Sequence, residues 1–534
     1  MKEMDLTFSD FIEKFNELGK SEWITAYSNN DGKEESSGFY CAVISKNRIK
    51  SSLSDPSWDL HIGDGQPGFE FTYNKGKETA VYHRFFDEVE PLVVKRYFHG
   101  MKDNYCEVSE EFRYYFNLYE DRRNNKFILI HDDGDEEDVI LISDSTIKIK
   151  LRLIKKFLAV KDMALALYFS IDRFSEKTVE ELGLKNFQEK KSGENFVYSI
   201  GLRNWQFGSN DSRKSHAFLL GKKIIYGLKN FKPRINDDEE EKKYIDFIIG
   251  VDDEGKEVLH SCDEDRLSNY FGKNPGEPHF LTPVLFKREV LAKYYSQPEK
   301  FSVEDGYLRC GGLWGLRMDN NNPDFVMVFL GDLGHLFYKE QQYWRTFNIL
   351  TKGKMSHVAW ARGFEAQFTD PEKSDLFFKQ KFTYFQEIWK KKFGWELFKP
   401  LGKDDEHHIK TLRIPLTEDQ KEFDEQVLSL TKIIIDSLNE KELEKASNIK
   451  IDGSINKLEK FLESEGLKFD EMLKFLRNLQ SLRSSSVAHR KGETYDKLKT
   501  YFSIGEKDLS KIFDDILIKC IWVLNTLENR IIST

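Results

Sequence analysis

From Thr417 to the C-terminus, apolar residues recur three and four positions apart, with no alternating stretch between them. Phe423, Val427, Leu430, Ile434 and Leu438 form one such stripe, behind a capping box formed by Thr417-Glu418-Asp419-Gln420. A second helix is expected from Ser454, carrying Ile455, Leu458 and Leu462 and stopping near Gly466. A third carries Phe469, Met472, Leu473, Leu476, Leu479 and Leu482 and reaches towards Gly492. A fourth shows Leu509, Ile512, Ile516, Cys520, Val523, Leu527 and Ile531. Four amphipathic helices with mostly short connections imply an all-α antiparallel four-helix bundle over residues 412–534.

The rest of the chain has a different texture, so an α+β multidomain protein is expected. Phe127–Ile130 and Val139–Ile142 flank the acidic turn Asp132-Asp133-Gly134-Asp135 and predict a β-hairpin. A second hairpin is predicted around Asp252-Asp253-Glu254-Gly255, and a third from Leu313–Leu316 through Asn320–Pro323 to Phe325–Leu330. The acidic run Asp237–Glu241 reads as an exposed linker. Residues 1–235 are therefore expected to form a mixed α/β sensing or targeting region, opening with an amphipathic helix on Phe8, Phe11, Ile12, Phe15 and Leu18. Residues 236–402 are expected to be β-rich and closed by an aromatic helix on Phe378, Phe382, Phe385 and Trp389.

Composition excludes several classes. The 43 Phe and 22 Tyr are incompatible with a disordered chain. With 32% charged residues, no apolar run approaches the ~18 residues of a membrane span. The five cysteines, Cys41, Cys106, Cys262, Cys310 and Cys520, lie far apart in no CxxC pair, against both a disulfide framework and a zinc site. Acids at Glu3 and Asp5, where a signal peptide would carry cations, complete the expectation of a cytoplasmic protein.

Several motifs have bland explanations. Gly63-Asp64-Gly65-Gln66-Pro67-Gly68 matches GxGxxG, but Pro67 removes an amide and Phe69–Tyr73 alternates like a strand, so a turn between strands is expected. Asp246, Glu254 and Lys256 loosely resemble the set of a metal-dependent nuclease, but the turn chemistry of a hairpin tip is the favoured account of them. Asp332 and His335 suit a tight turn, and His407-His408 a linker. Two basic stretches offer a nucleic-acid face: Lys148, Arg152 and Lys155, with Lys150 in the strand register, and Lys390 and Lys391 beside Trp389, Phe393 and Trp395.

The third bundle helix ends Leu482-Arg483-Ser484-Ser485-Ser486-Val487-Ala488-His489-Arg490-Lys491-Gly492. Between Glu471 and Lys499 seven cations face three acids, a local excess of positive charge in a chain of net charge -10. Here the sequence resembles the HEPN superfamily, helical bundles whose signature is an Arg followed, after four to six residues, by a His. Arg483 and His489 enclose five, on the third of four helices; Ser484 stands where the family often has Asn. The resemblance implies a metal-independent, cofactor-free endoribonuclease that cuts RNA through its own 2′-hydroxyl, often a toxin or antiphage effector, with a composite site across a homodimer. It implies His489 as acid/base and Arg483 as phosphate clamp, with Arg477, Ser484, Arg490 and Lys491 contacting RNA. Six helical steps of ~100° put Arg483 and His489 about 120° apart. Convergence then needs a break or an end between them, which the serine run favours, or the reach of the arginine. The rival expectations are a non-catalytic nucleic-acid- or protein-binding chain whose bundle only dimerises, and a DNA-cutting enzyme using Asp246, Glu254 and Lys256.

Overall fold

The computed structural model describes residues 6–8, 18–55, 68–74, 76–83, 89–143, 145–205, 208, 211–229, 231, 242–350, 353–487 and 493–532. The chain divides into two compact units, Met1–His131 with Asp135–Glu239, and Asp132–Gly134 with Glu240–Thr534. The protein is a mixed α/β multidomain chain with antiparallel sheets and a helical C-terminal region. Most of the expected first helix lies outside the described residues, as does the whole acidic run Asp237–Glu241.

The first unit is built on one antiparallel sheet. Its strands run in the order Phe187–Ser192, Phe196–Asn204, Ser215–Tyr226, Met163–Ser175, Glu35–Ser45, Trp23–Asp31, Thr146–Lys150, Glu136–Ile142, Lys126–Ile130 and Tyr119–Asp121. The central strand Met163–Ser175 shows why both faces are covered. Leu165 and Leu167 enter one core with the Leu151–Lys161 helix, while Ala164, Ala166 and Tyr168 enter another. Side chains alternate along a strand, so one strand feeds two cores. The helix contributes Leu153, Ile154, Phe157 and Leu158 and ends where Asp162 turns left-handed, at φ 55.

The first two expected hairpins form, as Lys126–Ile130 with Glu136–Ile142 and Asp246–Val251 with Glu257–Ser261. The third does not. Trp314–Arg317 pairs with Tyr307–Cys310, whereas Phe325–Phe329 pairs with Pro283–Lys287 in a different sheet. The asparagines between them are not a hairpin turn: Asn320 and Asn321 are buried. Asn320 Oδ1 accepts from Gly306 N at 2.9 Å, and Asn321 Nδ2 donates to Asp305 Oδ1 at 2.7 Å. Phe247, Phe286, Tyr294, Val328 and Trp344 centre the core of this β-rich part.

The expected aromatic helix forms as Ser374–Phe393, yet its buried Phe378, Phe385 and Trp389 pack in the helical core that follows, not in the β-rich one. It lies against the long last helix, Leu509–Leu527. Between them run His407–Thr411, Gln420–Thr431 with a wider turn Lys432–Asp436, Glu440–Ser447, Ser454–Ser464, Asp470–Val487 and Glu493–Phe502. This is more than the four helices expected. Glu440–Ser447 and Glu493–Phe502 are too short to carry a long stripe, and the aromatic helix joins this core instead of closing the β-rich segment. The first cap also differs. Asp419 caps Gln420–Thr431 by accepting from Lys421 N at 2.9 Å, while Thr417 N and Oγ both donate to Glu422 Oε2. Among the described residues no helix is long and apolar enough to cross a membrane.

Candidate functional site

Asp470–Val487 positions Arg483. Acids at Asp470 and Glu471 suit the positive end of the helix, and Met472, Leu473, Leu476, Leu479 and Leu482 bury one face. The serine run does not break the helix, which continues through Ser484–Ser486 to Val487. Ser484 Oγ donates back to the Gln480 carbonyl at 3.1 Å, as Ser481 Oγ does to Arg477 at 2.8 Å. That back-bonding lets serine sit inside a helix without a stray hydroxyl. His489, Arg490 and Lys491 lie outside the described residues.

Arg483 Nη1 donates to Asp436 Oδ2 at 2.5 Å. Asp436 ends the Lys432–Asp436 turn, a π-type widening that alters which way its last side chains point. The two side chains are 29% and 36% exposed. Solvent reaches the pair, so its net contribution to stability is at most ~1 kcal/mol. Its clearer consequence is orientation, because the carboxylate fixes one arm of a rigid planar guanidinium.

Behind this pair sits His408, which the sequence places in a linker. His408 is buried, its Nδ1 2.9 Å from Ser429 Oγ and its Nε2 3.6 Å from Asp405 Oδ1. Lys432 Nζ donates to the same Asp405 oxygen at 2.7 Å. Burial pushes the His408 imidazole down to about 4, with His407, Lys432 and Arg483 acting in the same direction and Asp405 against it. His408 is therefore neutral at physiological pH. His407 is exposed, its ring 4.0 Å from that of His408, and its Nδ1–H donates to the Asp404 carbonyl at 2.8 Å. The segment is a short helix packed on its neighbour, not a linker. Ile409 and Leu412, spaced for a helical face, were the available signal.

The other expected contacts fall elsewhere. Arg477 Nη2 donates to Glu459 Oε2 at 2.7 Å and Asn456 Oδ1 at 3.1 Å, tying its helix to Ser454–Ser464 rather than facing Asp436. The basic face near residue 150 is largely neutralised. The strand ends at Lys150 and the helix begins at Leu151, so neither single register holds. Arg152 Nη2 donates to Glu137 Oε2 at 2.7 Å, Lys150 pairs with Glu22 and Glu137, and Lys155 Nζ donates to the Gly19 carbonyl at 3.1 Å. Lys148 stays exposed.

Lys390 pairs with Glu396 at 2.8 Å and Lys391 is exposed, but the rings beside them are not a stacking platform. Trp389 is fully buried and packs with Phe393, Trp395 and Phe461. The Asp246, Glu254 and Lys256 set does not assemble. Glu254 pairs with Lys256 at the hairpin tip at 2.7 Å, while Asp246 stands opposite Ser261 at the other end. Burial pushes the Asp332 carboxyl up, and His335 turns to Glu264 at 3.4 Å. Of the GxGxxG run only Gly68 is described, opening the strand Gly68–Asn74 that pairs with Lys77–His83.

The chain matches no protein-family model, no curated protein and no solved structure.

Proposed function

We propose that the chain is a metal-independent endoribonuclease of HEPN type, with its first unit and β-rich segment serving recognition or regulation. The observation that carries this reading is the placement of Arg483. It stands in the last described turn of a long helix, partly exposed, oriented by Asp436 and six residues ahead of His489. Cleavage through the 2′-hydroxyl needs one group to take a proton and another to stabilise the crowded phosphate. His489 takes the first role, and the Arg483 guanidinium takes the second. Arg490 and Lys491 track the RNA backbone, with Ser484 at its edge. Two copies meeting through the helical region would compose the full site. Ile518 and Trp522, one turn apart and exposed on the last helix, supply apolar surface for such a contact. A bacterial toxin or antiphage effector acting in the cytoplasm is the setting this activity fits.

The test compares wild type with His489→Ala on total RNA in vitro. Wild type should leave fragments ending in cyclic phosphate whether or not EDTA is present, and His489→Ala should leave RNA intact while still binding it. Equal cleavage by both would sink the reading. The Arg483–Asp436 pair also favours a second reading, in which Arg483 is purely structural and the helical region binds without cutting. Intact RNA with wild type and unchanged binding in Arg483→Ala would select it.

A further inference from the structure

The β-rich part of the second unit encloses a cavity of about 410 Å³ that none of the residues discussed under the ribonuclease reading enters. Its size lies within the roughly 300–1,000 Å³ of small-molecule sites. The sheet of Phe301–Glu304, Tyr307–Cys310 and Trp314–Arg317, the strand Phe325–Phe329 and the helix His357–Phe364 form its walls.

Three of the chain's eight methionines, Met318, Met327 and Met355, converge there. Methionine makes an adaptable, polarisable wall that favours aromatic contacts. Phe364, 45% exposed and stacked on Trp360 at 4.8 Å, extends the same wall to the rim. A flat ring is the shape that such a lining suits.

The charges are not balanced in the same way throughout. Asp319, 2% exposed, accepts from Ser356 N at 2.7 Å, Ser356 Oγ at 2.8 Å and Asn321 N at 3.1 Å. Asp305 takes Arg362 Nη1 at 2.6 Å and Asn321 Nδ2 at 2.7 Å. Arg309 stands 3.6 Å from Glu304 and lies over the Tyr307 ring at 4.3 Å. The acids facing the cavity are thus already satisfied. Arg317 is exposed and lines the cavity; it enters no ion pair among the described residues, its electrostatic interaction being with the carboxyl of Asp332, which is not among the residues lining the cavity.

We propose that this cavity binds a small organic anion bearing a flat aromatic ring, with Arg317 taking the anion and the methionine wall and Phe364 taking the ring. Nucleotides and aromatic carboxylates share that chemistry.

Isothermal titration calorimetry on the full chain tests it, with AMP and indole-3-acetate as probes and adenosine and inorganic phosphate as half-ligands. At least one of the two anions should bind with one-to-one stoichiometry, and the half-ligand or half-ligands should bind more than about tenfold more weakly. Arg317→Ala, at an exposed position, should lower that affinity about tenfold or more. Met355→Trp should fill the space and abolish binding, with circular dichroism confirming that both variants fold. Saturable binding of neither anion overturns the proposal. So does an affinity indifferent to Arg317→Ala, or a half-ligand that binds as tightly as the whole.

Discussion

Arg483 and Asp436, 47 positions apart in sequence, meet through Arg483 Nη1 and Asp436 Oδ2 at 2.5 Å. In the ribonuclease reading this carboxylate aims the guanidinium and also competes with phosphate for it. Asp436→Asn should therefore leave folding nearly unchanged but remove the carboxylate that competes with RNA phosphate for Arg483. Affinity should rise, and the slope of log affinity against log salt should steepen by about 0.7 for one added contact with single-stranded RNA. Fluorescence anisotropy across a salt series measures it. An unchanged slope would mean that Arg483 does not touch the RNA backbone.

His408 gives a pH signature. Its ordinary value is 6.5 and the fold lowers it to about 4, chiefly through burial. As pH falls below 6.5 the unfolded chain takes up a proton that the folded chain refuses. The stability contribution is thus complete above that point, declines as pH drops towards 4, and levels off below. His408→Asn keeps a hydrogen-bonding side chain beside Ser429 and does not titrate there. Urea midpoints across this interval should fall less steeply in the variant. Parallel curves would show that His408 does not govern acid sensitivity.

Local periodicity carried the parts of the fold that are local. The helical stripes after Thr417 and the acidic-tipped hairpin of Lys126–Ile130 with Glu136–Ile142 were legible because spacing and turn chemistry agree over a few residues. Partner choice was not. Phe325–Phe329 is buried at four of its five positions, so it lacks the alternation that would mark a face or a neighbour. Met163–Ser175 pairs with Glu35–Ser45, more than a hundred positions earlier, which no short window contains. The same holds at the candidate site. Arg483 was visible as half of a spaced motif, whereas Asp436 and His408 reach it only through tertiary packing.

In the large sheet, Phe169 stands directly across from Gly221, and a Cβ at Gly221 would fall 1.9 Å from the Phe169 ring. The glycine makes room for the ring. Gly221→Ala should destabilise the first unit by ~1–3 kcal/mol, the usual cost of overpacking a filled core. Combining it with Phe169→Leu should recover part of the loss. Denaturant unfolding of the single and double variants gives both numbers, and purely additive losses would place the clash elsewhere.

Asp319 anchors the start of the His357–Phe364 helix. Ser356 donates to it through N and Oγ, and Ser356 Oγ also accepts from Ala359 N at 3.1 Å. Asp319→Ala would strand a buried amide and hydroxyl and remove the link to Asn321. A loss of about 2–4 kcal/mol is expected, with Asp319→Asn intermediate because its one oxygen can keep part of the set. Thermal melts resolve the ranking, and a neutral Asp319→Ala would contradict it.

The sharpest division is between binding and turnover at Arg483. A lysine there preserves positive charge but offers a compact ammonium in place of a planar fork. If the guanidinium both pairs with Asp436 and clamps phosphate, Arg483→Lys can satisfy one partner at a time. Binding of RNA should then change by less than about threefold, while the cleavage rate falls by about a hundredfold or more, the ~2.7 kcal/mol typical of losing one oriented donor to a transition state. Arg490→Ala and Lys491→Ala should do the reverse, weakening binding and its salt dependence with little effect on the rate at saturation. Single-turnover cleavage with saturating enzyme separates the two terms. An Arg483→Lys enzyme that cuts at the wild-type rate would reduce Arg483 to a point charge and remove the clamp from the mechanism.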